Sequence, residues 1–241
     1  MIIDGRHIAE EIIAGLGDSL RGKKLGIVVG VQDAATDSFV RIKTRVAERL
    51  GVEVIRGELS ELSQTCDGII VQLPHPNAEE LIAAIPSEKD LDAIGPKPLV
   101  RTPVAEAIGE VLSRANVTAL GKKAVVVGKG RLVGAPAAEL LKELGAQVVV
   151  VTQTQGSLTD LKDADIVVLG AGEPGFIGPD MIKEGVVLID AGTSEAAGKL
   201  MGDAQPACAQ KASVFTPVPG GIGPIAVAMI FKNLYELGRR A

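Results

Sequence analysis

Four short, almost uninterrupted apolar runs in the second half of the chain limit its possible folds more than any other feature. KAVVVG (123–128), QVVVVT (147–152), ADIVVLGAG (164–172) and VVLIDAG (186–192) have the length of strands and are rich in β-branched residues. A strand that alternates apolar with polar residues shows one face to water. A strand apolar at successive positions is buried on both faces, as in a parallel sheet covered by helices. PAAELLKELGA (136–146) supplies a helix between the first two runs. The first half repeats the theme with LGIVVGV (25–31), the weaker VEVIRGEL (52–59) and DGIIVQL (67–73), the last ended by Pro74. Helices are predicted over 36–51, 77–85, 104–115 and 225–240. The expected class is α/β with two domains, since the character of the sequence changes across 104–122 and no long linker or repeat interrupts it.

Composition excludes several functions. The 241 residues suffice for one large or two small domains, and 46% are hydrophobic. A net charge of −5, a single Tyr and no Trp argue against nucleic-acid binding. No apolar run approaches the ~18 residues of a membrane span, and MIIDGRHIAEEI lacks a signal-peptide pattern. A cytoplasmic protein with no membrane partner is expected. Cys66 and Cys208 are far apart and suggest no structural disulfide. With two His and two Cys, all scattered, no metal site is expected. A general base must then come mainly from Lys, Asp or Glu.

AVVVGKGRLVGAPAAELL places Gly128, Gly130 and Gly134 between a strand and a helix, one residue longer than the usual dinucleotide spacing. Such glycines allow a tight turn, a close backbone approach and a pyrophosphate at the helix N-terminus. A ligand-free βα turn is the plainer alternative. The next strand ends VVTQTQ, with no carboxylate for a ribose 2′-hydroxyl. NADP is therefore expected, with NAD as the alternative; Lys129 or Arg131 would meet the 2′-phosphate, with Gln153 or Thr154 nearby.

In TDSFVRIKTRVAERLG (36–51), a helical wheel puts Phe39, Ile42, Val46, Ala47 and Leu50 on one side, and Arg41, Thr44, Arg45 and Glu48 on the other. Lys43 falls on the apolar side. An ammonium buried there without a partner costs several kcal/mol. Snorkelling to water is the ordinary explanation.

DSFVRIK, DGIIVQLPHP, KDLDAI, GKGRLVGAP and FTPVPGGIGPIAVAMIFKN occur in this order, and the chain resembles the methylenetetrahydrofolate dehydrogenase/methenyltetrahydrofolate cyclohydrolase family almost end to end. The resemblance implies a folate-binding catalytic domain of residues 1–107 plus 222–241, completed by the C-terminal helix. A Rossmann domain spans 108–221, the substrate lies in a cleft between the two, and the protein is a homodimer. It implies that Lys43 is the catalytic lysine, that Gln72 hydrogen-bonds it, and that Asp92 holds the pterin's amino-pyrimidine edge. Phe39 would stack on the folate, and Pro219, Gly220, Gly221 and Pro224 would form a loop over substrate and nicotinamide. Gly128, Lys129, Gly130, Arg131, Val133, Gly134, Gln153 and Thr193 would contact the cofactor. His75 is read as a loop residue.

The implied activity is oxidation of 5,10-methylenetetrahydrofolate followed by hydrolysis of the methenyl product to 10-formyltetrahydrofolate. The chain departs from the family pattern at Phe39, where the family has tyrosine, at Ala93, at Ile94–Pro98, at Arg101 and at Ile225-Ala226. The alternatives are a dehydrogenase with weak or no cyclohydrolase activity and a non-catalytic folate- or nucleotide-binding relative. A simple Rossmann regulator without a folate site would leave Lys43, Gln72 and Asp92 as coincidences.

Overall fold

A computed structural model of the chain describes residues 1–31, 33–196 and 199–240. It is α/β throughout and divides into two compact units: Met1–Ile8 with Val104–Ala226, and Ala9–Pro103 with Val227–Ala241. The division falls inside two helices, α1 (Gly5–Leu16) and α7 (Ile222–Gly238).

The second of these units is built on three parallel strands, β1 (Lys24–Val29), β2 (Glu53–Arg56) and β3 (Gly68–Gln72), in the order β2-β1-β3. Its remaining helices are α2 (Ala34–Arg49), α3 (Leu59–Thr65) and α4 (Ala78–Ala84). Side chains alternate between the faces of a strand. Leu25, Ile27 and Ile70 therefore join one core with Ile13, Val40, Ala47, Leu50, Phe231 and Leu234 from α1, α2 and α7. Val28, Ile69 and Val71 join the opposite core with Leu59, Leu62, Cys66 and Ile82. Gly26 makes the second packing possible, because a Cβ there would already lie 3.1 Å from the Leu62 side chain. Burying an Ile or Leu contributes roughly 1.5–3 kcal/mol, so these two layers, rather than helix propensity, fix the sheet.

The other unit contains β4 (Lys123–Val127), β5 (Gln147–Val151), β6 (Ile166–Leu169), β7 (Val187–Asp190), the hairpin β8 (Ser194–Ala196) and β9 (Lys199–Met201), and β10 (Val214–Phe215). Five of them form a parallel sheet in the order β10-β7-β6-β4-β5, with α5 (Pro103–Arg114) and α6 (Gly134–Glu143) as its long helices. The first residues belong with this sheet because Ile3 N–H donates to Phe215 O and Phe215 N–H to Met1 O, both at 2.9 Å, covering the β10 edge. The sequence pattern does not mark that pairing. Among the described residues, no helix is long and apolar enough to cross a membrane.

Candidate active site

Asp33 caps α2, its carboxylate accepting the Thr36 N–H at 2.7 Å. The buried stripe of α2 is Thr36, Val40, Ala47 and Leu50, which differs from the apolar side expected from the sequence. Phe39 and Ile42 instead remain 40% and 41% exposed. Val40, Ala47 and Leu50 are the residues that join the core with Leu25, Ile27 and Ile70 of the sheet and Phe231 of α7. Lys43 lies one turn from both Val40 and Ala47, at the flank of the ridge and half-buried.

Gln72 ends β3 two residues after Ile70, so it points to the same face, toward α2. There Lys43 Nζ donates to Gln72 Oε1 at 2.6 Å. The amide cannot flip without loss, because its Nε2 donates to Leu73 O at 2.9 Å. Burial holds the Lys43 amine below the ordinary lysine range, and the neighbouring Asp92 carboxylate opposes that shift. Burial pushes Asp92 up to about 6; Lys43 lowers it and Asp90 raises it. Amine, amide and carboxylate, drawn from positions 43, 72 and 92, thus form one group. An amine so placed holds its proton weakly, and Asp92 stays largely ionised at neutral pH.

Asp90 has a different task. It is 2% exposed, its Oδ2 accepts the Gly95 N–H at 2.7 Å, and it closes the turn that follows Asp92. Its Oδ1 is buried without a hydrogen-bond partner, and burial raises its carboxyl pKa. His75, expected in a loop, lies just past β3 and accepts the Asn77 N–H on Nδ1 at 3.0 Å. Its ring packs so closely on Gly30 that a Cβ there would meet it at 2.3 Å.

In the five-stranded unit, Gly128 to Gly134 connect β4 to α6 beside β6, where the strand order reverses and open α/β sheets receive ligands. Three glycines are locked by protein contacts. A Cβ on Gly128 would lie 2.4 Å from Gly170 O, one on Gly134 2.2 Å from Gly128 O, and one on Gly170 2.4 Å from Val133 Cγ1. Gly130 is the exception, for a Cβ there would meet no protein atom within 4 Å. The space over its backbone, beside the α6 N-terminus, fits the close approach of a pyrophosphate. Val133 is half-buried against Gly170, while Lys129, Arg131, Gln153 and Thr193 are exposed.

Sequence reasoning did not single out Asp203 and Gly5 as site-building residues. Asp203 is fully buried and accepts three successive N–H groups of the loop after β6, from Ala171 (2.7 Å), Gly172 (3.2 Å) and Glu173 (2.8 Å). Gly5 N–H donates to Gly220 O at 2.8 Å, and a Cβ on Gly5 would fall 1.8 Å from Gly221 O. The Pro219–Gly221 loop therefore rests on an N-terminal residue that only glycine can supply. Gly221 N–H donates to Pro217 O at 2.7 Å, and Gly220 has φ of +108°. Among the described residues, no group of three or more His, Cys, Asp or Glu could hold a metal ion.

Comparison with known proteins places the chain in a family. The sequence model for "Tetrahydrofolate dehydrogenase/cyclohydrolase, NAD(P)-binding domain" matches residues 102–241. The bifunctional protein FolD of Staphylococcus aureus strain Newman is 33% identical over 269 aligned positions, which cover 96% of this chain and 94% of that protein. The FolD methylenetetrahydrofolate dehydrogenase/cyclohydrolase of Campylobacter jejuni superposes with a TM-score of 0.92 at 25% identity, covering 100% of this chain and 99% of that one. The Trypanosoma brucei enzyme, solved with NADP and an inhibitor, gives a TM-score of 0.90 at 28% identity over 100% of this chain and 99% of that one. This chain is a member of the tetrahydrofolate dehydrogenase/cyclohydrolase family.

Proposed function

We propose that the protein oxidises 5,10-methylenetetrahydrofolate with a nicotinamide dinucleotide and hydrolyses the methenyl product to 10-formyltetrahydrofolate. The observation that carries this reading is the 2.6 Å bond between Lys43 and Gln72 beside the Asp92 carboxylate. When bound, the dinucleotide supplies the hydride acceptor, and the protein's part in that step is to position the reactants. The half-exposed Phe39 ring offers a face on which the folate can stack. Asp92 can accept two parallel N–H bonds from the amino-pyrimidine edge. In hydrolysis, water attacks the cationic methenyl carbon and must lose a proton. Lys43, whose amine is destabilised as an ammonium by burial, takes that proton. A cationic substrate lowers its pKa further. Gln72 orients the amine without adding charge.

The backbone at Gly128, Gly130 and Gly134 would hold the pyrophosphate, with Val133 shaping the loop and Thr193 beside it. NADP is the favoured form, since Thr152-Gln153-Thr154 after β5 offers no carboxylate and Lys129 and Arg131 supply cations. The trypanosomal relative's NADP complex supports the same choice. In this reading the protein is a cytoplasmic homodimer whose three-stranded unit binds folate and whose five-stranded unit binds the dinucleotide. An absorbance assay with methylenetetrahydrofolate and each dinucleotide, following methenyl build-up and decay, tests the proposal. Both phases are expected, faster with NADP. Build-up without decay would leave a dehydrogenase alone, as the missing hydroxyl at Phe39 allows; no turnover with intact folate binding would overturn the enzymatic reading.

A further inference from the structure

We infer that Asn233 is a positioning residue for Asp92, clamping both ends of the segment that carries this carboxylate. Asn233 lies on α7 and is 2% exposed. Its Nδ2 donates to Leu91 O and to Arg101 O, each at 2.9 Å. Leu91 immediately precedes Asp92, and Arg101 stands just ahead of α5, so one amide group spans the whole intervening stretch. That stretch contains neither helix nor strand. Pro96 and Pro98 within it have no N–H to donate, and Ala93 takes a left-handed φ of +53°. At its start Asp90 accepts the Gly95 N–H on its carboxylate and the Ala93 N–H on its carbonyl at 3.4 Å, and farther along the exposed Arg240 donates to Leu99 O at 2.7 Å. Asn233 adds a buried tie that reaches both ends.

The chemistry selects asparagine. Two carbonyl oxygens converge on one nitrogen, and a primary amide presents two N–H donors from a short, stiff side chain. Aspartate has the same shape but would set a carboxylate against two carbonyls, and alanine would leave both carbonyls without this donor. Phe231 and Leu234, buried on either side of Asn233 in sequence, hold that turn of α7 in the core. The helix that completes this unit thereby sets how far the Asp92 carboxylate stands from Lys43.

The inference depends on reading Asp92 as the folate anchor, so the test has one arm that needs no substrate. In the full-length, ligand-free protein, Asp92 is titrated by carboxyl 13C NMR in wild type, Asn233→Ala and Asn233→Asp, with Asp92→Asn for assignment. Asp92 is faced by Lys43 and Asp90, and burial is the largest influence on it. Releasing the segment admits water, so its midpoint is expected to fall from about 6 toward the ordinary carboxylate value. Asp190, in the other unit and also pushed up by burial to about 6, is expected to stay put as an internal control. In the kinetic arm, the folate KM is expected to rise about tenfold while the dinucleotide KM stays within about twofold. An unmoved Asp92 midpoint, a fall shared by Asp190, or equal rises in both KM values would overturn the inference. Asn233→Ser keeps one donor and serves if the alanine variant does not fold; an intermediate shift is expected, and a wild-type midpoint would count against the clamp. A wild type inactive toward methylenetetrahydrofolate would remove the functional reading and leave the titration to judge Asn233.

Discussion

Around Lys43 the site is made of side chains held out of water; around Gly130 it is made of backbone from which side chains are absent. In the first place, burial lowers the pKa of an amine and raises that of a carboxylate, and an amide fixes the amine at 2.6 Å. In the second, Gly128, Gly134 and Gly170 interlock through contacts that no Cβ could share, and Gly130 leaves its space open. In the proposed function, the contrast follows from the two tasks. Moving a proton needs a group whose charge state is poised, whereas holding a pyrophosphate needs donors and room. Substitutions should therefore act differently in the two regions. At Lys43 chemistry should fail while the fold stays intact; at the locked glycines the loop itself should change.

The largest expected effect is from Lys43→Met, which should slow methenyl hydrolysis by about three orders of magnitude while dinucleotide affinity, read by fluorescence titration, is unchanged. Removing the cation should also move the Asp92 titration above about 6. Normal hydrolysis in this variant would end the side-chain half of the comparison. Gly134→Ala comes next. Its Cβ would lie 2.2 Å from Gly128 O, so dinucleotide affinity should fall by roughly a hundredfold, with a lower Tm typical of strained glycine sites. Gly130→Ala sharpens the point, because nothing in the protein crowds it: affinity should drop by about tenfold with no change in Tm. A Tm loss equal to that of Gly134→Ala would show that Gly130 is structural after all. Phe39→Tyr should be the mildest, changing the hydrolysis rate by no more than about threefold and leaving the dinucleotide site untouched.

The sheets and the glycine loop were legible because their signals are local. Runs such as VVVG and IVVLG read as doubly buried strands on their own, and glycines between a strand and a helix admit few geometries. The Lys43 group was legible only in part. The helix and its misplaced lysine could be read, but the choice of Val40 over Phe39 and Ile42 as the buried ridge is made by the core it joins with the sheet, α1 and α7, not by the helix's own pattern. Phe39 thereby becomes the exposed ring that a stacking role needs. Asp203, Gly5 and Asn233 left no pattern because each acts on distant backbone rather than on a neighbouring side chain. Asn233 reaches carbonyls 132 and 142 residues away, a relation no periodicity encodes. The pairing of Ile2 with Phe215 escaped for the same reason. The short strands β8, β9 and β10, of three, three and two residues, are too brief for an alternation to register.

The comparison also has a sign in pH. Lys43 must be neutral to accept a proton, so hydrolysis at saturating substrate should rise with pH through the lysine's lowered pKa. Asp92 stabilises the ammonium; Asp92→Asn removes that support, and the rise should move to lower pH. The most direct measurement is the titration of Lys43 itself, by NMR of 13C-labelled lysine in the ligand-free protein and in Asp92→Asn. A midpoint below the ordinary lysine value, and lower still in the variant, is the expected result. A midpoint at or above that value, or one that Asp92→Asn leaves in place, would contradict the idea that this buried amine is the site's base.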